Sequence, residues 1–256
     1  MKRLIACFFV SVTFYKTKTT IPNSVIDFSI KPVEAQAVLH KAQSDWTAGA
    51  RVYKGAGINI RADAPIVVYV VVKYRYTSDG FLAIPSNAFG TKYVNMVFKE
   101  PALWANGWFN PFTAVTAAYD NTEISFKMGG GDEGNDGVPL LGGRVLKTGE
   151  STKEFLDRGD VWLLSINGQR QDLSGSIFNS DKPISIVSGI NCANFPLGNF
   201  WCDYTVEMEL PVYSWGKQYF ITPMNGRLYN GIIRVFASED NTNVYRDNEL
   251  IGNIAK

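Results

Sequence analysis

Three acidic residues late in the chain have a spacing that can do chemistry. Asp203, Glu207 and Glu209 fall on one face of an extended strand, because side chains alternate between its two faces. Paired carboxylates cleave glycosidic bonds, so this spacing suggests a carbohydrate-active enzyme. Acids along a solvent-facing strand give the same spacing, and we favour that interpretation. His40 is the single histidine, which argues against a Ser-His-Asp triad. We therefore predict that the chain is not an enzyme.

A glycine-rich acidic segment at 129–137 is a candidate metal site. Asp132 and Asp136 supply carboxylate oxygens of the kind that calcium prefers. The segment lacks the bidentate glutamate that closes a calcium-binding hand, so we favour a solvated loop between strands. Cys192 and Cys202 are too few for a structural zinc site. We expect no metal and no organic cofactor.

Cys192 and Cys202 are separated by nine residues, which suits a disulfide across a hairpin-like loop. Two buried thiols are the alternative. The N-terminus favours the disulfide, since two basic residues and then an apolar run are typical of a secretory signal peptide. We place this signal at residues 1–20, with a buried first strand and a lipid anchor as alternatives. The sequence thus predicts a secreted or cell-surface protein with no membrane span.

Large aromatic side chains gather in two irregular segments. The first segment, residues 104–112, sets its rings among turn-forming residues, and the second lies between the two cysteines. Rings on such loops either fill the core, which we favour, or form a binding patch. As a patch they are the best candidate contact site for a partner. The candidate residues are Trp104, Trp108, Phe109, Phe112, Phe195, Phe200 and Trp201.

The composition predicts the elements that must position these residues. Hydrophobic residues make up 46% of the chain and charged residues 19%, which is enough apolar material for a packed core. Aromatic and β-branched runs cut by Gly, Pro, Asn and Asp indicate many short strands and tight turns. The net charge is +1 and no basic stripe is present, so we expect no nucleic-acid partner.

Three sequence blocks occur twice in the same order, which indicates an internal duplication of about 120 residues. Residues 63–66 match 181–184 with a shift of 118, and both read Asp-x-Pro-Ile. Residues 84–94 match 210–220 with a shift of 126. Residues 115–124 match 235–244 with a shift of 120. Only the connecting segments differ in length.

Each block has a structural interpretation. Asp-x-Pro-Ile is a turn that leads into a strand, and the run from Ile66 to Val72 predicts a strand buried on both faces. The block at 84–94 joins two strands, with Gly90 where the backbone turns. Asp120-Asn121-Thr122 predicts a hairpin turn, because Asp and Asn tolerate left-handed backbone.

The duplication predicts an all-β fold of two tandem, related, antiparallel β-sandwich-like units. A propeller-like arrangement is the alternative. The second unit stops early relative to the first, so we expect the chain to be cut inside its repeat pattern. The expected organisation is a signal peptide at 1–20, an N-terminal segment at 21–54 with a candidate helix at 33–43, a first unit at 55–172 and an incomplete second unit at 173–256.

The second unit carries motifs found together in a known family. They are Leu173-Ser174-Gly175, Asp181-Lys182-Pro183-Ile184, Ser188-Gly189, Cys192-Ala193, Cys202-Asp203, Leu210-Pro211-Val212, Trp215-Gly216-Lys217, Arg234-Val235 and Asp240-Asn241-Thr242. In this order they resemble the N-terminal domain of the IgG Fc-binding protein family, from about Gly55 to Asn248. The resemblance implies an extracellular β-rich module of larger secreted or surface proteins. It carries over no Fc-contacting residue.

The tripeptide Arg158-Gly159-Asp160 matches an integrin-binding sequence, but the resemblance implies a turn before a strand at this place. Together these observations predict an extracellular binding or adhesion module with a protein or glycan partner. Immunoglobulin Fc is suggested by the family name only. A structural spacer in a large surface protein is the alternative, and a carboxylate-based carbohydrate-active enzyme ranks third.

Overall fold

The computed structural model describes residues 7–14, 24–29, 49–73, 78–98, 111–130, 137–140, 143–166, 172–193, 203–222 and 232–254. Within these ranges the chain forms sixteen strands and two 3-10 turns, Ser86–Ala88 and Val212–Ser214. The strands are β1 Cys7–Phe14, β2 Ser24–Ser29, β3 Gly49–Tyr53, β4 Val67–Lys73, β5 Ser78–Leu82, β6 Gly90–Val94, β7 Pro111–Ala117, β8 Thr122–Lys127, β9 Val138–Pro139, β10 Val145–Leu146, β11 Ser151–Leu156, β12 Val161–Ser165, β13 Ile177–Ala193, β14 Asp203–Met208, β15 Thr242–Arg246 and β16 Glu249–Ile254. The predicted all-β class is confirmed.

The main sheet is antiparallel and is built around β13, which is 17 residues long. Its strand order is β11-β8-β13-β7-β12-β3, and β6 and β14 also pair with β13. The first part of β13 pairs with β6 and β8, and its later part pairs with β7 and β14. One long strand therefore holds four others in place.

The main sheet takes strands from both sides of the repeat boundary that the sequence suggested. Strands β6, β7 and β8 come from 55–172, whereas β13 and β14 come from 173–256. Because β13 pairs with all three first-unit strands, the sequence repeat and the folded sheet are offset from each other. The residue boundaries of the two units therefore remain a prediction from the sequence repeat.

A second sheet has the order β2-β1-β4-β5. Its strand β1 covers Cys7–Phe14, inside the expected signal peptide, and pairs with both β2 and β4. This backbone arrangement favours the alternative of a first strand, and cleavage of a signal peptide stays a prediction. The candidate helix at 33–43 lies outside the described residues.

Two apolar clusters cover opposite faces of the main sheet. Along β12, Trp162 and Leu164 belong to the larger cluster, while Val161 and Leu163 belong to the smaller one. The smaller cluster also contains Val72 of β4, so the second sheet packs on the outer face of the main sheet. Full burial of each such side chain stabilises the fold by roughly 1.5–3 kcal/mol.

Strand β4 is covered on one face only. Val67, Tyr69 and Val71 are exposed, whereas Val72 is buried in the smaller cluster. The prediction that Ile66 to Val72 is buried on both faces is therefore wrong. Its β-branched residues do form a strand, but the main sheet packs against only one side of it.

The matching blocks around the 3-10 turns fold alike. In the first block, the backbone N–H of Ala88 donates to the carbonyl of Pro85 at 2.8 Å. In the second, Ser214 donates to Pro211 at 2.9 Å. Both prolines adopt extended backbone angles within a few degrees of each other. Proline sets φ for the turn, so the shared sequence gives a shared local structure.

The glycine and tyrosine that follow each turn also repeat their contact. The N–H of Gly90 donates to the hydroxyl oxygen of Tyr93 at 3.0 Å. The N–H of Gly216 donates to the hydroxyl oxygen of Tyr219 at 2.8 Å. This pairing closes a small loop in each unit.

The Asp-Asn-Thr blocks form equivalent turns. Asn121 has φ of 50° and Asn241 has φ of 56°, a conformation that asparagine tolerates. The hydroxyl of Thr122 donates to the Tyr119 carbonyl at 2.7 Å, and Thr242 donates to the Glu239 carbonyl at 2.8 Å. The predicted turn therefore forms at both places, but it is not a hairpin, because β7 and β8 both pair with β13 and not with each other, and β15 pairs with the following strand β16.

Candidate functional site

A groove of about 800 Å³ lies between the second sheet and the outer face of the main sheet. It is bounded by the coil at 56–61, the β4–β5 hairpin, the first 3-10 turn and parts of β7, β12 and β13. The groove exists because the second sheet approaches the main sheet around the smaller apolar cluster without covering the whole face. A concave site of this size suits a side chain or short segment of a partner.

The walls of the groove are mainly apolar. Val68, Val70 and Phe81 line it from the β4–β5 hairpin, and Val161 and Val187 line it from the main sheet. Val68 and Val70 share one face of β4 because side chains alternate along a strand. The opposite residues of β4 face solvent. Apolar walls make the transfer of an apolar partner group from water favourable.

Polar and charged residues stand at the rim of the groove. Arg61 and Arg158 are exposed, and both line the groove together with Asn59 and Ser86. The backbone N–H of Arg158 donates to the carboxylate of Asp120 at 3.0 Å, which holds this part of the rim in place. An apolar floor with two guanidinium groups at the edge suits a partner that combines apolar and acidic groups.

The turn Arg158-Gly159-Asp160 supports the rim and is not available as an integrin-binding sequence. Asp160 is only 3% exposed. It accepts hydrogen bonds from the ammonium group of Lys54 at 2.6 Å and from the N–H of Gly55 at 2.8 Å. Receptor binding would require an exposed aspartate, so the turn interpretation is the one that fits.

Burial alone would raise the pKa of Asp160, but hydrogen bonds to its carboxylate outweigh that effect. The donors are Lys54, Gly55 and Asp157, and together they hold the pKa of Asp160 below its ordinary value. The carboxylate therefore stays ionised at neutral pH. Its charge is used to fix the turn in position, since both of its oxygens accept hydrogen bonds.

The three acidic residues proposed as paired carboxylates do not share a face. On β14, Tyr204 and Val206 are buried, and Asp203 and Glu207 point to the other, exposed face. Glu209 follows the end of β14 and is 2% exposed. Strict alternation along the strand would place Glu209 on the same face as Asp203 and Glu207, but β14 ends at Met208 and Glu209 is buried.

Glu209 is held in the core. One of its carboxylate oxygens accepts hydrogen bonds from the N–H of Met96 at 2.9 Å and from the hydroxyl of Ser188. Burial raises the pKa of Glu209 to about 7, although these two hydrogen bonds act to lower it. It lines no part of the groove. These contacts tie β13 to the segment after β6.

The aromatic candidates are divided between the core and segments that are not described. Phe112 lies in β7, is 1% exposed and packs against Tyr204 with ring centroids 6.3 Å apart. It therefore belongs to the core. The other six candidates, Trp104, Trp108, Phe109, Phe195, Phe200 and Trp201, lie outside the described residues, so the binding patch stays a prediction.

The remaining candidates also fall at or beyond the edge of the described chain. Ala193 pairs with Asp203, so residues 194–202 join two antiparallel strands. The side chain of Cys192 is not described, and Cys202 lies outside the described residues, so the disulfide is untested. Asp132, Asp136 and His40 also lie outside. Among the residues that are described, no three His, Cys, Asp or Glu side chains cluster as metal ligands would.

Sequence reasoning missed the groove residues. Ile58, Asn59 and Arg61 lie in coil, and Phe81 and Arg158 come from distant segments. No local pattern marks them, because the groove is created by the packing of two sheets. The matching Asp-x-Pro-Ile block next to this coil was the nearest available signal.

The architecture defines an antiparallel β module with an apolar groove rimmed by arginine. Its sequence matches the family described as IgGFc binding protein over residues 79–255. The chain belongs to this family, as the sequence motifs predicted.

A curated human relative, named IgGFc-binding protein, is 24% identical to this chain over 230 residues. The match covers 90% of this chain and 4% of the relative, so the chain spans only a small part of that protein's length. No solved structure matches. In the described part of the chain, no helix is long and apolar enough to cross a membrane.

Proposed function

We propose that this chain is an extracellular module that binds a protein partner in the groove between its two sheets. The observation that carries the proposal is the groove itself, about 800 Å³ in volume, with apolar walls and with Arg61 and Arg158 at its rim. Membership of the IgGFc binding protein family supports a role in binding. Secretion and a disulfide between Cys192 and Cys202 are part of the same proposal.

The partner is proposed to insert an apolar side chain and to place an acidic group beside the rim. Val68, Val70 and Phe81 would contact the apolar group, and the arginines would contact the acid. Arginine at the edge of an apolar pocket is a common energetic centre of protein interfaces. Because the human relative is named for immunoglobulin Fc, Fc is the first ligand to test.

The test measures binding of the secreted, oxidised chain to immobilised IgG Fc, with a glycan array in parallel. The double variant Ile58→Asp, Arg61→Glu changes the groove at two exposed positions, so the fold should be unaffected. We expect it to weaken binding by at least about tenfold. The control is Lys127→Glu, a charge reversal at an exposed residue that does not line the groove.

The outcomes separate the groove from the aromatic segments. Loss of binding in the groove variant alone supports the proposal. If Trp104→Ala or Trp108→Ala loses binding while the groove variant binds normally, the binding site is in the aromatic segment at 104–112. Binding to a glycan on the array without binding to Fc would indicate a carbohydrate partner.

A structural spacer is the second candidate function. The observation that favours it is the repetition of the same turns, with the same hydrogen bonds, in both units. Repeated units that contact their neighbours build extended proteins. A folded chain that binds neither Fc nor any glycan would support this function over the first.

A further inference from the structure

The first unit shows how one repeat is covered by the next. Tyr93 of β6 is 1% exposed, lies opposite Phe178 of β13 and donates its hydroxyl to the Ile184 carbonyl at 2.6 Å. Val115 of β7 is fully buried and pairs with Ile186 of the same strand. Strand β13 is the strand that begins the second unit. The apolar residues of β6 and β7 are therefore covered by the following unit.

The equivalent residues of the second unit are exposed. Tyr219, the counterpart of Tyr93, is 67% exposed, and Val235, the counterpart of Val115, is 51% exposed. Their neighbours are exposed as well. We call these exposed apolar residues the tail face; they are Tyr219, Phe220, Ile221, Ile232, Ile233 and Val235. An exposed apolar surface of this kind marks an interaction site.

The turns of the second unit already match those of the covered first unit. Its 3-10 turn, its Gly216–Tyr219 hydrogen bond and its Asn241 turn match those of the first unit. Arg234 also fixes the tail, donating to the Val97 carbonyl at 2.5 Å. The turns beside the tail face are thus formed before a partner binds, which lowers the cost of ordering them on binding.

Gly216 gives an independent indication of what the partner is. At its counterpart Gly90, a methyl group would lie 2.4 Å from Cβ of Pro211, so only glycine allows the second 3-10 turn to approach. Tyr213 of that turn donates its hydroxyl to the Ala88 carbonyl at 2.8 Å. At Gly216 a methyl group would meet nothing closer than 3.7 Å, and φ is not left-handed. Gly216 therefore leaves space for the proline-containing 3-10 turn of a further unit, as Gly90 does for Pro211.

We propose that the tail face binds a β13-type strand of a further copy of the same repeat unit. Such a strand carries Asp-x-Pro-Ile in its middle and apolar residues on both sides of it, as β13 does here. Its carbonyls and N–H groups add a strand beside 216–220, and its apolar residues cover the tail face. The register of β6 on β13 places the Phe178-type residue opposite Tyr219.

The experiment uses the full chain and a synthetic, labelled peptide with the sequence of residues 174–191, which contains no cysteine. Binding is followed by fluorescence anisotropy. We expect saturable binding and protection of the amides of 216–220 from hydrogen exchange. A peptide with Phe178→Asp and Ile184→Asp should not bind, because both apolar contacts are lost.

The matched protein variants are Phe220→Asp and Phe155→Asp. Phe220 is 91% exposed on the tail face, and Phe155 is 53% exposed on β11. Neither change should alter the melting temperature, since both side chains are largely in water. Phe220→Asp should weaken peptide binding by at least about tenfold, and Phe155→Asp should leave it unchanged.

Three results would overturn the proposal. The first is no saturable binding at millimolar peptide, and the second is equal binding by the altered peptide or by Phe220→Asp. The third is self-association of the chain through the tail face that the peptide does not disrupt. Sedimentation would detect this self-association, and Phe220→Asp would abolish it. No tail-face residue lines the groove, so loss of Fc binding would not affect this test.

Discussion

Tyr93 and Tyr219 occupy equivalent places in the two repeat units, and their surroundings differ. Each accepts a hydrogen bond from the glycine that precedes it by three residues. Tyr93 also donates to Ile184 and is 1% exposed, whereas Tyr219 is 67% exposed. The short-range structure is the same and the long-range contacts are not.

This difference separates what the local sequence determines from what the neighbouring unit adds. The turns and the glycine–tyrosine contact form with or without a covering strand, so they depend on the block itself. Burial depends on β13, which begins only in the following unit. Repeat proteins show this division, because each repeat is stabilised partly by itself and partly by the interface with its neighbour.

Truncation of the buried Tyr93 should have the largest effect on the free energy of unfolding. Tyr93→Ala removes a fully buried ring and its hydrogen bond to Ile184, so we expect a loss of about 3–5 kcal/mol in the free energy of unfolding. Tyr219→Ala should change it by less than about 0.5 kcal/mol, since the ring is exposed. Urea unfolding at pH 7 measures both. Similar losses for the two variants would show that the tail tyrosine is buried in solution.

The sequence predicted the strands and turns well because both depend on local patterns. Asp-Asn-Thr predicted turns, and Asn121 and Asn241 adopt left-handed backbone, but the segments beside each turn do not pair with each other as a hairpin would. The strand pairing could not be predicted in the same way. That β13 pairs with β6 and β8 depends on contacts between residues that are far apart in sequence. For the same reason the exposed face of β4 was missed.

The candidate site was less predictable than the fold. Aromatic residues were chosen by type, and Phe112 proves to be a core residue because β7 is covered on both faces. Asp203 and Glu209 were grouped by spacing, but the strand ends between them. The groove comes from packing between sheets, and no spacing rule along the chain contains that information.

Substitution of the glycines that follow the 3-10 turns should have an intermediate effect on the free energy of unfolding. Gly90→Ala places a methyl group 2.4 Å from Cβ of Pro211, and proline cannot rotate away, so we expect a loss of about 1–3 kcal/mol. Gly216→Ala should change the free energy of unfolding by less than about 0.5 kcal/mol, or stabilise slightly by restricting the unfolded chain. Urea unfolding of the two variants side by side is the measurement. Equal destabilisation would contradict the comparison, because it would mean that Gly216 is already in close contact.

The smallest expected change in the free energy of unfolding concerns Glu209. Its counterpart in the first unit is Ala83. The backbone N–H groups of these residues make equivalent hydrogen bonds, to Ile186 at 2.8 Å and to Val68 at 2.9 Å. Only the second unit places an ionisable group at this position. Because burial raises the pKa of Glu209 to about 7 from an ordinary value of 4.5, the folded chain holds its proton more tightly than the unfolded chain.

The sign of the pH dependence follows from that difference. The contribution of Glu209 to stability is fully present below pH 4.5 and is lost as the pH rises towards 7. Glu209→Gln keeps the shape and the acceptor oxygen for Met96 and Ser188 but cannot ionise. We expect it to raise the free energy of unfolding at pH 8 by about 1–2 kcal/mol and to change it little at pH 4.5.

Urea unfolding of the wild type and of Glu209→Gln between pH 4 and pH 8 provides the test. The exposed residue Glu249 supplies the control, because Glu249→Gln removes the same charge outside the core. An equal pH dependence of the wild type and of Glu209→Gln would show that Glu209 does not titrate as a buried acid. That result would remove the one ionisable difference between the two units at this backbone position.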